Sequence, residues 1–477
     1  MAVYKPVIGL EVHAELRTNT KMFCSSKNDS DETRPNVNVC PVCLAHPGTL
    51  PVINREAVKK VLRVGAAIGS RLADYTEFDR KNYFYPDLPK GYQLSQYEYP
   101  LVSGGTLDGV AITRIHLEED TASSMHNEET GITTIDYNRA GVPLMELVTE
   151  PVITSAEQAG NFGKELQLLL RYLGVSDANM EKGEMRVEAN VSLSKDGVMS
   201  TSYVELKNIN SFRTMEKAVS YEIARQEAML ERGEIVLKET RGWDDARQAT
   251  FSQRVKEGGA DYRYFPDPDL PSLKLSELEG LTADALCAEL PELPNQRRAR
   301  YMELGIKADD TELYVKDVRF GNFIDSVSEG EDRGFVLAAS NYVANDLVKI
   351  VRDIEERDSA IMTQMPISAA NFKVLISMTI ADKVSSRAAK DVLLACVQSG
   401  ENPEEYAKMH NLIQSSDTNA LESAVEKVIA DNPTVVADVR SGKAAALEFL
   451  LGQCMKALRG AGNPAILRKM LVEKTSL

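Results

Sequence analysis

The chain has 477 residues, of which 43% are hydrophobic, 26% charged and 6% aromatic. Such proportions exclude disordered, collagenous and coiled-coil classes, and at roughly 100–200 residues per domain they allow two to four domains. A total of 55 Lys and Arg against 71 Asp and Glu gives −16, which argues against a simple nucleic-acid coat and for a cytoplasmic enzyme.

In chain order, Val7–Leu16 reads as a strand. Asn54–Gly69 predicts a helix, with Asn54 as cap, Val58, Val61, Leu62 and Ala66 on one side, and Gly69 at its end. Phe78–Gln93 is dense in aromatics and Lys, and Pro86 and Pro89 rule out a long helix, so an ordered loop is expected. Ala111–Leu117, Met185–Leu193 and Tyr203–Asn208 read as strands. Ser155-Ala-Glu-Gln158 is a capping box opening a helix through Phe162, Leu166, Leu169 and Leu170 to Gly174. Another helix runs from about Arg213 to Gly233. Strands and helices do not alternate strictly, so the fold class is α+β. After Pro291-Glu-Leu-Pro294 helical patterns take over: Leu347–Glu356, Ser368–Ile380, Ser386–Gln398, Leu421–Ala430, Ser441–Arg459 and Pro464–Lys474. The expected division is 1–292, a sheet-and-helix domain; 293–405, an all-α domain; and 406–477, a small helical tail. No run reaches the ~18 apolar residues of a membrane span. The start carries no signal-peptide apolar core, and six Cys suit a reducing compartment.

The densest chemistry is Gly9-Leu-Glu11-Val-His13-Ala-Glu15. On a strand, Glu11, His13 and Glu15 share one side. Carboxylates around an imidazole suit a divalent metal or acid–base work; a solvated strand face is the alternative. A second acidic strand end is His116-Leu-Glu118-Glu119-Asp120, where a regular strand aims only one of the two glutamates at a shared site, a bulge could present both, and an acidic turn is the alternative. Arg186, Glu188 and Asn190, and likewise Glu205 and Lys207, alternate with apolar residues. Several such strands would build an acidic floor suited to Mg²⁺ and ATP. Lys81 and Lys90 could neutralise phosphate, and Tyr83 or Tyr85 could stack on a base. There is no Walker motif and no nucleophile elbow. Of five His, only His13 sits in a functional-looking setting. Cys24 and Cys40-Pro-Val-Cys43-Leu-Ala-His46 offer either a zinc knuckle, with His46 as fourth ligand, or reduced thiols.

Seven motifs in order then carry a resemblance: Val7-Ile-Gly-Leu-Glu-Val-His13, Phe78-Asp-Arg-Lys-Asn-Tyr-Phe-Tyr-Pro-Asp87, Leu117-Glu-Glu-Asp120, Asn138-Arg-Ala-Gly-Val-Pro143, Glu205-Leu-Lys-Asn208, Asp261-Tyr-Arg-Tyr-Phe-Pro-Asp267 and Phe449-Leu-Leu-Gly-Gln-Cys-Met-Lys456. Over essentially its whole length the chain resembles the B-subunit family of tRNA-dependent amidotransferases. The resemblance implies a glutamine-synthetase-like cradle of mixed or antiparallel sheet and helices, then a helical domain and a tRNA-contacting tail. It also implies a division of labour, in which an amidase-type A subunit releases ammonia from glutamine and a small C subunit clamps the pair. The B subunit, using ATP and Mg²⁺, phosphorylates the side-chain carboxylate of Glu-tRNA(Gln) or Asp-tRNA(Asn), and ammonia displaces the phosphate. A non-catalytic tRNA-binding scaffold in the same complex is the competing reading. The compartment would be bacterial cytoplasm or an organelle.

Carried onto this chain, the resemblance makes Glu11, His13, Glu119 and Glu146 the expected Mg²⁺ ligands, with Glu118 beside them in catalysis. Lys81, Tyr83, Tyr85, Lys90, Glu188, Glu205 and Lys207 are the expected ATP contacts. If zinc is bound, Cys24, Cys40, Cys43 and His46 hold it, although Ser26 stands where zinc-bearing relatives have a further Cys. The last 44 residues carry seven basic and three acidic side chains, so the −16 hides a tail of +4 behind a body of −20. Arg440, Lys443, Lys456, Arg459, Arg468 and Lys469 are the expected tRNA contacts.

Overall fold

The structure is a computed structural model that describes residues 4–195, 197–255, 262–358, 360–414, 418–458 and 462–475. It divides into two compact units, Met1–Pro294 and Asn295–Leu477.

The first unit is built on one large mixed sheet. Its core strands are β1 (Lys5–Glu15), β2 (Val110–Glu119), β3 (Pro143–Thr149), β4 (Met185–Ser194) and β5 (Val204–Leu206). They lie in the order β5-β4-β1-β3-β2, all antiparallel neighbours. Glu239–Asp244 extends the sheet parallel to β5, and Ala249–Val255 closes that side. Val102–Ser103 and Arg71–Leu72 extend the other side.

One face of this sheet is apolar because the period-two pattern puts Leu10, Val12, Ala14, Leu117, Met145, Leu147, Val187, Ala189 and Val191 on it, all buried. Against them pack α1 (Arg55–Ala67), α2 (Ala156–Tyr172) and α3 (Phe212–Glu231). Full burial of each such Val or Leu stabilises by about 1.5–3 kcal/mol. The helices start where their caps dictate. Asn54 accepts Glu56 N at 3.0 Å, Ser155 accepts Gln158 N at 3.1 Å, and Ser211 accepts Thr214 N at 3.1 Å. The Gln158 side chain reaches back to Thr154 N at 3.0 Å, one residue beyond the box expected.

The segment expected as a loop is instead a small sheet. Asp79–Asn82 pairs antiparallel with Tyr92–Ser95 and with Phe265–Pro266. Pro86 and Pro89 sit in the turn between the first two strands, where no ladder donor is missed.

The second unit is helical throughout the described residues, from Pro294–Leu304 to Pro464–Thr475. Around the expected helix at Leu347 the chain forms a π-turn, Val343–Leu347, running into Val348–Asp358. Its last helices close their own core of Leu421, Val425, Leu450, Cys454, Leu467 and Leu471. No helix among the described residues is long and apolar enough to cross a membrane.

Candidate active site

The sheet's other face carries the chemistry, and strand register assembles it. Residues directly opposite in an antiparallel pair point the same way. His13 lies opposite Glu146 on β3 and Arg186 on β4. Glu11 lies opposite Glu188. Glu146 in turn faces His116, and Leu144 faces Glu118. Asn190 faces Glu205. Five strands thus contribute charged groups to one surface.

At its centre His13 Nε2 stands 3.3 Å from Glu146 and 3.8 Å from both Glu11 and Glu118. His116 Nε2 stands 3.4 Å from Glu146 and 3.7 Å from Glu118. Two ligand triads result, Glu11–His13–Glu146 and His116–Glu118–Glu146, each with its atoms within 4.8 Å. Burial opposes charging both imidazoles, yet the Glu146 and Glu118 carboxylates outweigh it. His13 is raised, and His116 is raised to about 9. Burial likewise opposes Glu146, but His116 and His13 hold its carboxyl well below the usual range. Glu11 is pushed up to about 7 by burial and then by Glu146.

Glu118, not Glu119, reaches this centre, because neighbours on a strand face opposite ways. Ser95 donates to Glu118 at 3.0 Å. Glu119 instead pairs with Lys90 and accepts Leu94 N at 3.0 Å. Of the expected Mg²⁺ set, Glu11, His13 and Glu146 come together, and Glu118 takes the place given to Glu119. His116 was missed: its period-two relation to Arg114 and Glu118 was the available signal.

The small sheet supplies cations and rings. Burial opposes the charge on Lys81, yet Glu118, Tyr264 and Glu146 raise its pKa. Its ammonium lies 5.2 Å from the Tyr262 ring centre. Tyr83 donates to Gln93 at 2.9 Å, and Gln93 donates to the Glu119 carbonyl at 2.7 Å. Tyr85 is exposed, edge-on to Tyr83. Lys207 bridges Glu188 at 2.6 Å and Glu205 at 3.5 Å, and Glu205 also accepts Thr240 at 2.8 Å. Of the expected ATP contacts, Lys90 is therefore tied to Glu119 and Lys207 to two carboxylates.

Below this centre Arg186 donates to buried Asp120 at 2.8 Å. Burial, then Asp120, pushes Glu15 up to about 8, and it belongs to neither triad.

The Cys cluster forms beside Glu119. Cys24, Cys40 and Cys43 offer sulfurs within 4.8 Å of one another, with Cys40 and Cys43 Sγ 3.8 Å apart. His46 is not in that set; it lines a cavity shared by Cys24, Cys43, Lys90 and Glu119. Ser26 Oγ lies 3.9 Å from Cys43 Sγ, and fully buried Lys21 donates to Cys43 at 3.7 Å. Hydrogen bonding from Cys24, then from Cys40 N and the Lys21 charge, holds Cys43 down to about 4. Gly141 closes this corner with φ +85°. A Cβ there would sit 3.6 Å from Cys43 and from Lys21, and its amide donates to the Asp120 carbonyl at 2.9 Å.

In the tail, Arg440 donates to the Thr475 carbonyl, Lys443 pairs with Asp438, and Arg468 pairs with Glu448. Lys456 and Lys469 are exposed. Arg459 lies outside the described residues.

Residues 6–279 match the family described as GatB/GatE catalytic domain, and residues 326–475 match the GatB domain. The chain belongs to the B-subunit family of the tRNA-dependent amidotransferases. It is 44% identical to the aspartyl/glutamyl-tRNA(Asn/Gln) amidotransferase B subunit of Thermomicrobium roseum, over 98% of both chains. Its identity to the protein of that name from Carboxydothermus hydrogenoformans is 40% over 99% of both. With the chloroplastic/mitochondrial glutamyl-tRNA(Gln) amidotransferase B subunit of Sorghum bicolor it is 38%, over 99% of this chain and 87% of the relative. The GatB/GatE match spans the whole charged face, and the GatB match spans the tail core.

Proposed function

We propose that this chain is the kinase-like subunit of a tRNA-dependent amidotransferase, acting on Glu-tRNA(Gln), Asp-tRNA(Asn) or both in complex with an ammonia-releasing A subunit and a small C subunit. The observation that carries it is the pair of carboxylate–imidazole triads sharing Glu146 beneath Lys81. A carboxylate is a poor electrophile, because its anion repels nucleophiles. Activation requires that one of its oxygens attack the γ-phosphorus of ATP while ADP leaves. Ammonia then adds to the acyl phosphate, inorganic phosphate leaves, and the nitrogen sheds a proton. The first step sets an anion against an anion and the second builds negative charge on the acyl oxygen beside the phosphate, so the site must supply fixed positive charge.

The donor set fits a hard divalent cation such as Mg²⁺: oxygen-rich triads with their atoms within 4.8 Å of one another. Glu11, His13 and Glu146 would hold one, with His116 and Glu118 completing the second triad. Such an ion supplies charge neutralisation at the phosphate oxygens. Lys81 adds a fixed ammonium beside Glu118 and Glu146, and Tyr83, Tyr262 and Tyr264 wall it. The charged sheet face supports, in this reading, a cradle of the glutamine-synthetase kind, within a division at 1–292, 293–405 and 406–477. Exposed Lys456 and Lys469 are the tail's phosphate contacts.

Zinc is also part of this reading. Tetrahedral Zn–S bonds of about 2.3 Å place sulfurs about 3.8 Å apart, which matches Cys40 and Cys43. Cys24 is the third ligand, and His46, which lines the same cavity, is the fourth. Elemental analysis of purified protein showing no zinc would refute that assignment.

The decisive experiment for the activity is Glu11→Ala and Glu118→Ala in the assembled complex. Each should lower tRNA-dependent ATP hydrolysis by at least about 100-fold and leave tRNA affinity within about twofold. Unchanged turnover would favour the scaffold reading.

A further inference from the structure

Between Asp120 and the Asn138–Pro143 turn the chain leaves the large sheet and forms an isolated hairpin. Ser123–Asn127 pairs with Ile132–Asp136, and neither strand has a third partner among the described residues. A two-stranded hairpin is marginal in water without packing on one face. Here seven of the ten strand residues are exposed and none is buried. Met125 and Ile132 share one face and are 62% and 59% exposed.

The edges are unprotected as well. Natural proteins guard free edges with Lys or Pro, and residues 121–138 contain no Lys, Arg or Pro. Yet the base is fixed. Asp136 accepts Asn36 N and Asn138 N, both at 2.9 Å. Arg139 holds the Thr121 and Ala122 carbonyls at 3.0 and 2.9 Å, and Ala122 N donates to Asp87 O at 2.9 Å. A fixed root bearing an uncovered apolar pair suits a partner surface that would cover it.

Its chemistry selects the occupant. Glu128, Glu129 and Asp136 are its only formal charges. That repels RNA phosphate and a second acidic copy of this chain, and favours a protein face with an apolar centre and a cationic rim. The root continues into Glu119 and Gly141, which line the cavity holding Lys90. We infer that this hairpin docks the protein subunit that supplies ammonia, which rests on the function proposed above.

Met125→Asp with Ile132→Asp, and separately Glu128→Lys with Glu129→Lys, test this in the assembled complex. All four positions are exposed, so the fold should persist. Amidation is measured with glutamine and with ammonium chloride as nitrogen donor. Glutamine-driven turnover and subunit affinity should each fall at least tenfold, while ammonium-driven turnover and tRNA affinity stay within twofold. Equal loss with both donors, no loss with either, or weakened tRNA binding would overturn the docking assignment. A wild-type complex that amidates with neither donor would instead sink the function on which it rests.

Discussion

Replacing Glu146 by Gln keeps the shape of the side chain and removes the charge that two imidazoles share. In the wild type His116 is raised from 6.5 to about 9, against burial and chiefly by Glu146. A group whose folded pKa lies above its unfolded value stabilises fully below the unfolded value and loses that contribution as pH rises through the folded one. At about 1.4 kcal/mol per pH unit, His116 contributes about 3 kcal/mol at pH 6.5 that is gone by pH 9. The depressed pKa of Glu146 is the same interaction seen from its partner, so it is counted once. Urea unfolding in chelator, followed by the single tryptophan Trp243 on the sheet strand Glu239–Asp244, reports the first unit directly. His116 alone should take about 3 kcal/mol from the wild type between pH 6.5 and 9, and the raised carboxyls of Glu11 and Glu15 add to that loss as they ionise. Glu146→Gln should start lower, because one partner of a buried charge cluster has gone, and should show a much flatter pH dependence. Equal slopes in the two proteins would refute the assignment of Glu146 as the shared counter-charge.

Two glycines should respond oppositely to Ala. A Cβ at Gly452 would meet nothing within 4 Å, so Gly452→Ala should stabilise its helix by about 0.5–1 kcal/mol and raise the second unit's Tm. At Gly65 the same atom would meet Val102 and Leu72 at 2.6–2.9 Å, and Gly65→Ala should destabilise by about 1–3 kcal/mol in urea titration. Asp120→Asn removes the buried charge that partly exposed Arg186 meets at 2.8 Å and should cost about 1.5–3 kcal/mol; an unchanged urea midpoint would contradict it. Cation affinity at the triads, measured calorimetrically with Mn²⁺ or Mg²⁺, should rise between pH 6.5 and 9, since His13 and His116 must lose protons to bind.

What is legible in the sequence is whatever is local. The period-two run at Glu11, His13 and Glu15, the caps at Asn54 and Ser155, and the apolar stripes of the helices all depend on neighbours a few residues apart. What stays hidden depends on register. Nothing near His116 reveals that it faces Glu146 across a strand boundary, nor does Glu118's spacing alone say that it, rather than Glu119, meets His13. The Phe78–Gln93 segment reads as loop because its strands, Asp79–Asn82 and Tyr92–Ser95, are only four residues each and two prolines lie between them, while the third strand, Phe265–Pro266, lies far along the chain. His46 looks like a ligand by spacing, but it falls outside the group of three sulfurs, beside which Ser26 and Lys21 stand.

The two faces of the large sheet differ so sharply that pairing errors are punished. Side chains alternate with a period of two, so slipping β1 by one residue against its neighbours would drive Glu11, His13 and Glu15 under the helices. Several unpaired charges would then be buried, each costing several kcal/mol, and Leu10, Val12 and Ala14 would face water. A misregistered chain therefore has no near-native basin to settle in. The charge pattern that equips the face for chemistry also proofreads the folding of the sheet beneath it.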